Sequence, residues 1–297
     1  MHGRAGRKQQ GLVPLAVAVR GGRGNGAVMI KTNSLPTTIR AAATELVPNL
    51  AGGYRFLPGL PFASAAALAC DGFDIVRATF RRPRPYPEGL DEIEQYLQRL
   101  NRPLQALCGL ELRSAHTYSR EAFIAFNQSY VERMREQAVL VGSRVPFTRT
   151  NVVITGTRAA QTVHAFCYTV PTSSGMSTRV PTFVLAAVPE IRFASSERGD
   201  EVIALGDTST EGRRRKIAFV LEVLTERLRA LHVGWSNVTG AQVYSLYDGR
   251  SAVLEAVSSK LQVASGCIQL IFARPPVDYV NIEIDVRSTQ AEVIIDE

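Results

Sequence analysis

Two apolar stripes constrain the fold of this chain more than any other feature. Leu90, Ile93, Leu97, Leu100, Leu104 and Leu107 step by three and four, and Ile217, Val220, Leu221, Leu224, Leu228 and Leu231 recur at the same helical spacing. Each pattern predicts a helix with one face on a core, the first kinked or split by Pro103. An alternating, strand-like segment follows each: Leu110 to Tyr118, and Val238 to Tyr247. Then come a second helix pattern (Phe123 to Met134, and Ser251 to Leu261) and two closing strands (149–155 and 162–170, then 267–273 and 280–287). The corresponding segments are offset by roughly 120 to 130 residues, which marks a duplication rather than a short-period solenoid.

Each half therefore reads as strands, helix, strand, helix, strand, strand. Two helices on one face of a mixed sheet is an α+β arrangement that leaves the other sheet face to be covered by the sibling half or by another subunit. A homo-oligomer is expected on that ground. The Ser- and Thr-containing run from Pro171 to Arg179 is the best linker, so domains are expected at 41–172 and 179–297.

The net charge of +7 is concentrated at the start of the chain. Arg4, Arg7, Lys8, Arg20, Arg23 and Lys31 face no acid within residues 1–31, which leaves +1 for the remainder. Residues 1–40 read as a basic, disordered leader, with Met29 as a candidate start. Pro14 breaks the short apolar run 12–19, which argues against a signal peptide. Gly21 to Gly26 lacks the strand and helix that a phosphate loop requires. The run Arg213 to Lys216 reads as a solvated helix face, and no basic patch is interleaved with aromatic residues, so no nucleic-acid partner is expected. No apolar run is long enough for a bilayer, and the chain is expected in the cytoplasm. Cys70, Cys108, Cys167 and Cys267 are scattered without His at ligand spacing, which argues against zinc and suits a reducing compartment.

The candidate site residues lie between Phe123 and His164. Asn127 sits among Phe123, Tyr130 and Met134 on an apolar stripe, where an amide needs a partner. Arg149 opens a strand-forming run, and a guanidinium fixed there can fork onto a carboxylate. His164 on the last strand of the first half is a candidate proton carrier. Glu283 and Asp285 alternate with Ile282, Ile284 and Val286, as a half-exposed strand would. His116 is a weaker candidate.

These residues resemble the RidA/YjgF family of enamine/imine deaminases. Gly52-Gly53-Tyr54 is similar to its early Gly-x-Tyr. Phe123, Asn127 and Tyr130 match its Phe-x-x-x-Asn-x-x-Tyr helix. Phe147-Thr148-Arg149-Thr150 is similar to its Pro-x-Arg-Ser/Thr, with Pro146 one residue further off. Asn281-Ile282-Glu283-Ile284-Asp285 resembles its closing Glu-Ile-Glu strand. The resemblance implies two tandem chorismate-mutase-like (RidA-type) domains, a homotrimeric assembly, and no metal or organic cofactor.

It also implies roles. Arg149 grips a substrate carboxylate, Asn127, Thr150 and the backbone near Tyr54 orient the substrate, and His164, Glu283 or Asp285 moves the proton. The first half has His164 where the family has a glutamate, and the second has Gly266-Cys267 where it has the arginine. Either Arg149 and the second-half acids complete one composite site, or the second half is structural. The expected activity is hydrolytic deamination of a small carboxylate-bearing enamine or imine, of the 2-aminoacrylate or aminomuconate type. A chorismatase-like enzyme acting on chorismate and a non-catalytic metabolite-binding or scaffold protein are the alternatives.

Overall fold

The computed structural model describes residues 45–154, 161–172, 180–192, 201–246, 255–256, 258–259 and 267–296. The basic leader and most of the helix expected at 251–261 lie outside them. The elements in order are β1 (Val47–Asn49), β2 (Tyr54–Leu57), β3 (Ala66–Ala69), β4 (Phe73–Pro85), α1 (Glu88–Arg99), β5 (Leu107–Ser114), α2 (Arg120–Glu136), β6 (Thr148–Val153) and β7 (Gln161–Pro171). The second half contributes β8 (Phe183–Leu185), β9 (Val188–Pro189), β10 (Ile191–Arg192), β11 (Glu201–Val202), α3 (Thr210–Ala230), β12 (Gly240–Ser245), β13 (Ile268–Ile271), β14 (Ile282–Ser288) and β15 (Ala291–Ile295).

The first stripe does not make one long helix. α1 stops at Arg99, Asn101 turns with φ 55°, and Arg102 N bonds back to Leu97 O. After Pro103 a 3₁₀ turn, Leu104–Ala106, leads straight into β5, so Leu107 is a strand residue. In neither half do the two closing strands pair with each other. β5 lies between β6, which it pairs in parallel, and β7, which it pairs antiparallel, and β12 stands in the same relation to β13 and β14.

The expectation of two tandem RidA-type domains is corrected by sheet membership. An 8-stranded sheet runs β1-β2-β3-β8-β14-β12-β13 with β9 on β14, and a 5-stranded sheet runs β15-β4-β7-β5-β6. The first half thus lends β1 to β3 to the second half's sheet, and the second half returns β15, which pairs in parallel with β4 from Ala291↔Val76 to Ile295↔Phe80. Strands cross the 173–179 segment in both directions, so neither half completes its sheet alone.

The layers run helices, sheet, sheet, helix. α1 and α2 cover one face of the 5-stranded sheet through Leu90, Ile93, Leu97, Tyr130 and Met134 against Leu110, Leu112 and Phe166. α3 covers the outer face of the larger sheet through Ile217, Val220, Leu221, Leu224 and Leu228 against Ile282, Ile284 and Val286. The inner faces meet each other. All eight residues of β5 and all seven of β14 are buried, because both faces of each strand are covered. Glu111, Arg113, Asp285 and Arg287, which alternation alone reads as solvent-facing, lie between the sheets.

Candidate functional site

Strand alternation sends neighbouring residues of β6 to different layers. Thr150 points inward to the other sheet, where its hydroxyl lies 3.2 Å from Asp285 Oδ2. Arg149 and Asn151 share the face of Leu110 and Leu112, their register partners on β5, and so point toward α2.

Arg149 is 7% exposed and, among the described residues, has no carboxylate in an ion pair. Its Nη2 donates to Asn127 Oδ1 at 2.7 Å. Rings surround the guanidinium: Phe62 at 4.5 Å, Tyr130 at 4.7 Å and Phe126 at 5.6 Å from its carbon. Nη1 is buried without a hydrogen-bond partner, and so are the hydroxyls of Tyr86 and Tyr130. Burial lowers the Arg149 pKa, opposed by Tyr130, Tyr86, Glu283 and Tyr118. A desolvated cation with Nη1 free among aromatic faces is equipped to take a carboxylate oxygen.

Glu283 of β14 approaches from the other half. Its Oε2 is buried and unpartnered. Burial pushes its pKa up to about 8, helped by Asp285 and Glu190 and opposed by Arg149 and Arg113. At neutral pH this carboxyl holds a proton within electrostatic reach of Arg149.

Several neighbours escaped the sequence reading. Glu190 is fully buried and accepts the backbone N–H groups of Asn281, at 2.7 Å, and Ile282, at 3.0 Å, just ahead of Glu283. Lys216 Nζ stands 3.5 Å from Glu190 Oε1 and is 1% exposed, which corrects the reading of residues 213–216 as a wholly solvated face. Arg227 of α3 donates to Ala186 O at 2.8 Å, and burial brings its pKa down to about 10, with Glu283 acting against that shift. The one sequence trace of Lys216 is its position four residues before Val220 on the α3 stripe, which does not show its contact with Glu190. Tyr86 and Phe62 lie outside the periodic segments and offered none, and Tyr118 was legible only as the end of the alternating segment from Leu110.

The remaining sequence candidates lie elsewhere. Asp285 accepts from Tyr244 OH at 2.9 Å and belongs to the interlayer network with Arg287, Glu111 and Arg77; burial and Glu111 raise its pKa to about 6. His164 adjoins the same network. Burial and Arg113 bring its pKa down to about 4, so its imidazole is neutral at pH 7. Tyr54 is fully buried and donates to Leu107 O at 2.6 Å. The Gly52-Gly53 turn before it serves packing: Gly53 has φ +73°, and a Cβ on Gly52 would lie 2.2 Å from Gln105 O. Among the described residues no His, Cys, Asp and Glu cluster is arranged to hold a metal, and no helix is long and apolar enough to cross a membrane.

Comparison with known proteins resolves the family. A chorismatase crystal structure superposes with TM-score 0.46 at 12% identity, covering 76% of this chain and 77% of that one. A cyanuric acid hydrolase gives 0.38 at 11%, covering 74% and 69%. Both overlaps are too loose to assign a fold class. The 2-amino-5-chloromuconate deaminase of Comamonas testosteroni is 34% identical over 245 residues, which cover 82% of this chain and 96% of that protein. The family model described as 2-aminomuconate deaminase CnbZ matches residues 46–293. These matches overturn the RidA/YjgF resemblance, which rested on short motifs, one of them the packing turn at Gly52 to Tyr54. With nearly the whole described fold inside the match, the chain belongs to the 2-aminomuconate deaminase CnbZ family.

Proposed function

We propose that the protein is a hydrolytic deaminase of an aminomuconate-type substrate, working at a composite site built by Arg149 of the first half and Glu283 of the second. The observation that carries this reading is the buried Arg149 guanidinium with Nη1 free, ringed by Phe62, Phe126 and Tyr130, with the buried, unpartnered Glu283 Oε2 in electrostatic contact with it. Family membership supports the reaction class.

In this mechanism Arg149 takes a substrate carboxylate and Asn127 holds the guanidinium in place. The aromatic walls suit a flat conjugated chain. The Glu283 carboxyl gives its proton to the enamine carbon, forming the iminium ion and leaving a carboxylate in the field of Arg149, Arg113 and Arg227. Water then adds to the iminium carbon as Glu283 takes a proton back from it. The resulting carbinolamine expels ammonia and leaves the oxo acid, so that one water is consumed for each ammonia released.

The test is ammonia release from 2-aminomuconate by the purified chain, beside Arg149→Ala and with chorismate as a control substrate. Release that depends on Arg149 is expected. No release, or release unchanged in the variant, overturns the proposal, and chorismate turnover would replace it with the lyase or hydrolase alternative.

A further inference from the structure

Beside Arg149, a second buried polar group has a free donor. Asn151 is 5% exposed and lies two residues along β6 on the same face. Its Oδ1 accepts from Ser114 Oγ at 3.0 Å and from Gln161 Nε2 at 3.1 Å. Gln161 Oε1 accepts from Tyr118 OH at 2.5 Å and shares the Ser114 hydroxyl at 3.2 Å. In this arrangement both side-chain carbonyls are taken and the leftover atom is a donor: Asn151 Nδ2 is buried without a partner. Buried amide donors are ordinarily paired, so this one marks a place for an acceptor.

Resting on the reading that one substrate carboxylate sits on Arg149, we propose that Asn151, held by Ser114, Gln161 and Tyr118, forms a second, uncharged subsite that receives the far carboxylate of an extended conjugated dicarboxylate. The spacing suits such a ligand. Two residues along a strand span about 6.6–6.8 Å, of the order of the distance between the carboxylates of a short, straight diene diacid. Tyr118 joins the two ends: it stacks on Phe126 at 5.6 Å between centroids, Phe126 touches Arg149, and the Tyr118 hydroxyl holds Gln161. The free group is an N–H, which selects a carboxylate oxygen over the amino group at the reacting end of the substrate.

The test is calorimetric binding of two unreactive probes to the full chain. Muconate carries both carboxylates, and sorbate is the same conjugated chain with a methyl group in place of the second. The wild type is expected to bind muconate roughly tenfold or more tightly than sorbate, the worth of a hydrogen bond to a charged group. Asn151→Asp, which keeps both accepted hydrogen bonds and loses the donor, should abolish that preference, with a cooperative thermal transition showing that the variant is folded. Asn151→Leu should likewise abolish the preference. Equal or absent binding of the two probes by the wild type, or a preference that survives in both variants, overturns the proposal. Ammonia release from 2-aminomuconate without a muconate preference sinks the subsite alone. A preference without release sinks the deaminase reading alone.

Discussion

Arg149 of β6 and Asn127 of α2 are joined by a hydrogen bond, 2.7 Å from Nη2 to Oδ1, which holds the guanidinium and leaves Nη1 free in a buried position. Arg149→Lys keeps the charge but lacks the planar fork, so kcat/KM for 2-aminomuconate is expected to fall roughly tenfold to a hundredfold. Asn127→Leu should raise KM more than it lowers kcat, because the cation remains and only its aim is lost. Steady-state ammonia release separates these effects.

The same pair should cost stability. A buried cation without a carboxylate partner is expensive, and a site kept for a ligand is a place where stability and activity trade against each other. The double variant Arg149→Met with Asn127→Leu should abolish ammonia release and raise Tm by about 2–4 °C for each kcal/mol recovered. Differential scanning calorimetry decides it, and a lowered Tm would mean that the guanidinium is there for packing.

The parts of the fold that were legible are those encoded by local periodicity. The α3 stripe from Ile217 to Leu228 reads as a helix because a single face meets one core. β15 could not be read this way: its pairing with Val76 to Phe80 comes from across the whole chain, and no local pattern specifies such a partner. Glu111 and Arg113 between Leu110 and Leu112 look like an ordinary half-exposed strand, and only the second sheet makes them interior. In the site, Arg149 and Asn127 stood out as polar residues in apolar settings. Glu190 and Lys216 did not, because their meaning lies in a contact between elements that are distant in sequence.

His164 tests how the proton moves. With burial and Arg113 bringing its pKa down to about 4, the imidazole is uncharged through the neutral range. A general acid or base contributes at least about a hundredfold. His164→Gln is therefore expected to change kcat/KM by less than that and to leave the basic limb of the pH profile in place. A loss of about a hundredfold or more would return His164 to the chemistry.

The interlayer network should hold the two sheets together. Arg77 clasps Glu111 through bonds of 2.6 Å and 3.0 Å, and Arg113 adds a third at 3.1 Å. Burial alone would raise the Glu111 carboxyl, but Arg77 and Arg113 outweigh it and hold it well below the ordinary carboxylate range. Glu111→Gln takes the carboxylate partner from buried Arg113 and leaves Arg77 only its 3.3 Å pair with Glu292, and is expected to cost about 3–5 kcal/mol in urea unfolding. A group whose pKa is depressed on folding stabilises above its unfolded value, about 4.3 for Glu. The wild type should therefore lose this contribution as pH falls below that point, and Glu111→Gln should lose less. Parallel acid titrations would sink the assignment.

Glu283 and Glu190 make the sharpest pH prediction. Burial, then Asp285 and Glu190, raise the Glu283 carboxyl to about 8. If its protonated form starts the reaction, kcat/KM should fall on the alkaline side with a midpoint near that value. The linkage has the opposite sense to Glu111: the folded state binds the extra proton between the unfolded value and about 8, so stability on this account declines as pH rises through that window. The Glu190 carboxyl lies beside the start of β14, where it accepts the N–H groups of Asn281 and Ile282 and stands 3.5 Å from Lys216. Glu190 is one of the groups that raise Glu283, so Glu190→Gln, which puts a neutral amide there and keeps an acceptor for one N–H, should let Glu283 ionise more easily and move the alkaline limb to lower pH. A structural defect alone would lower kcat/KM at every pH without moving the midpoint, and a midpoint that stays put would show that Glu190 does not tune the proton on Glu283.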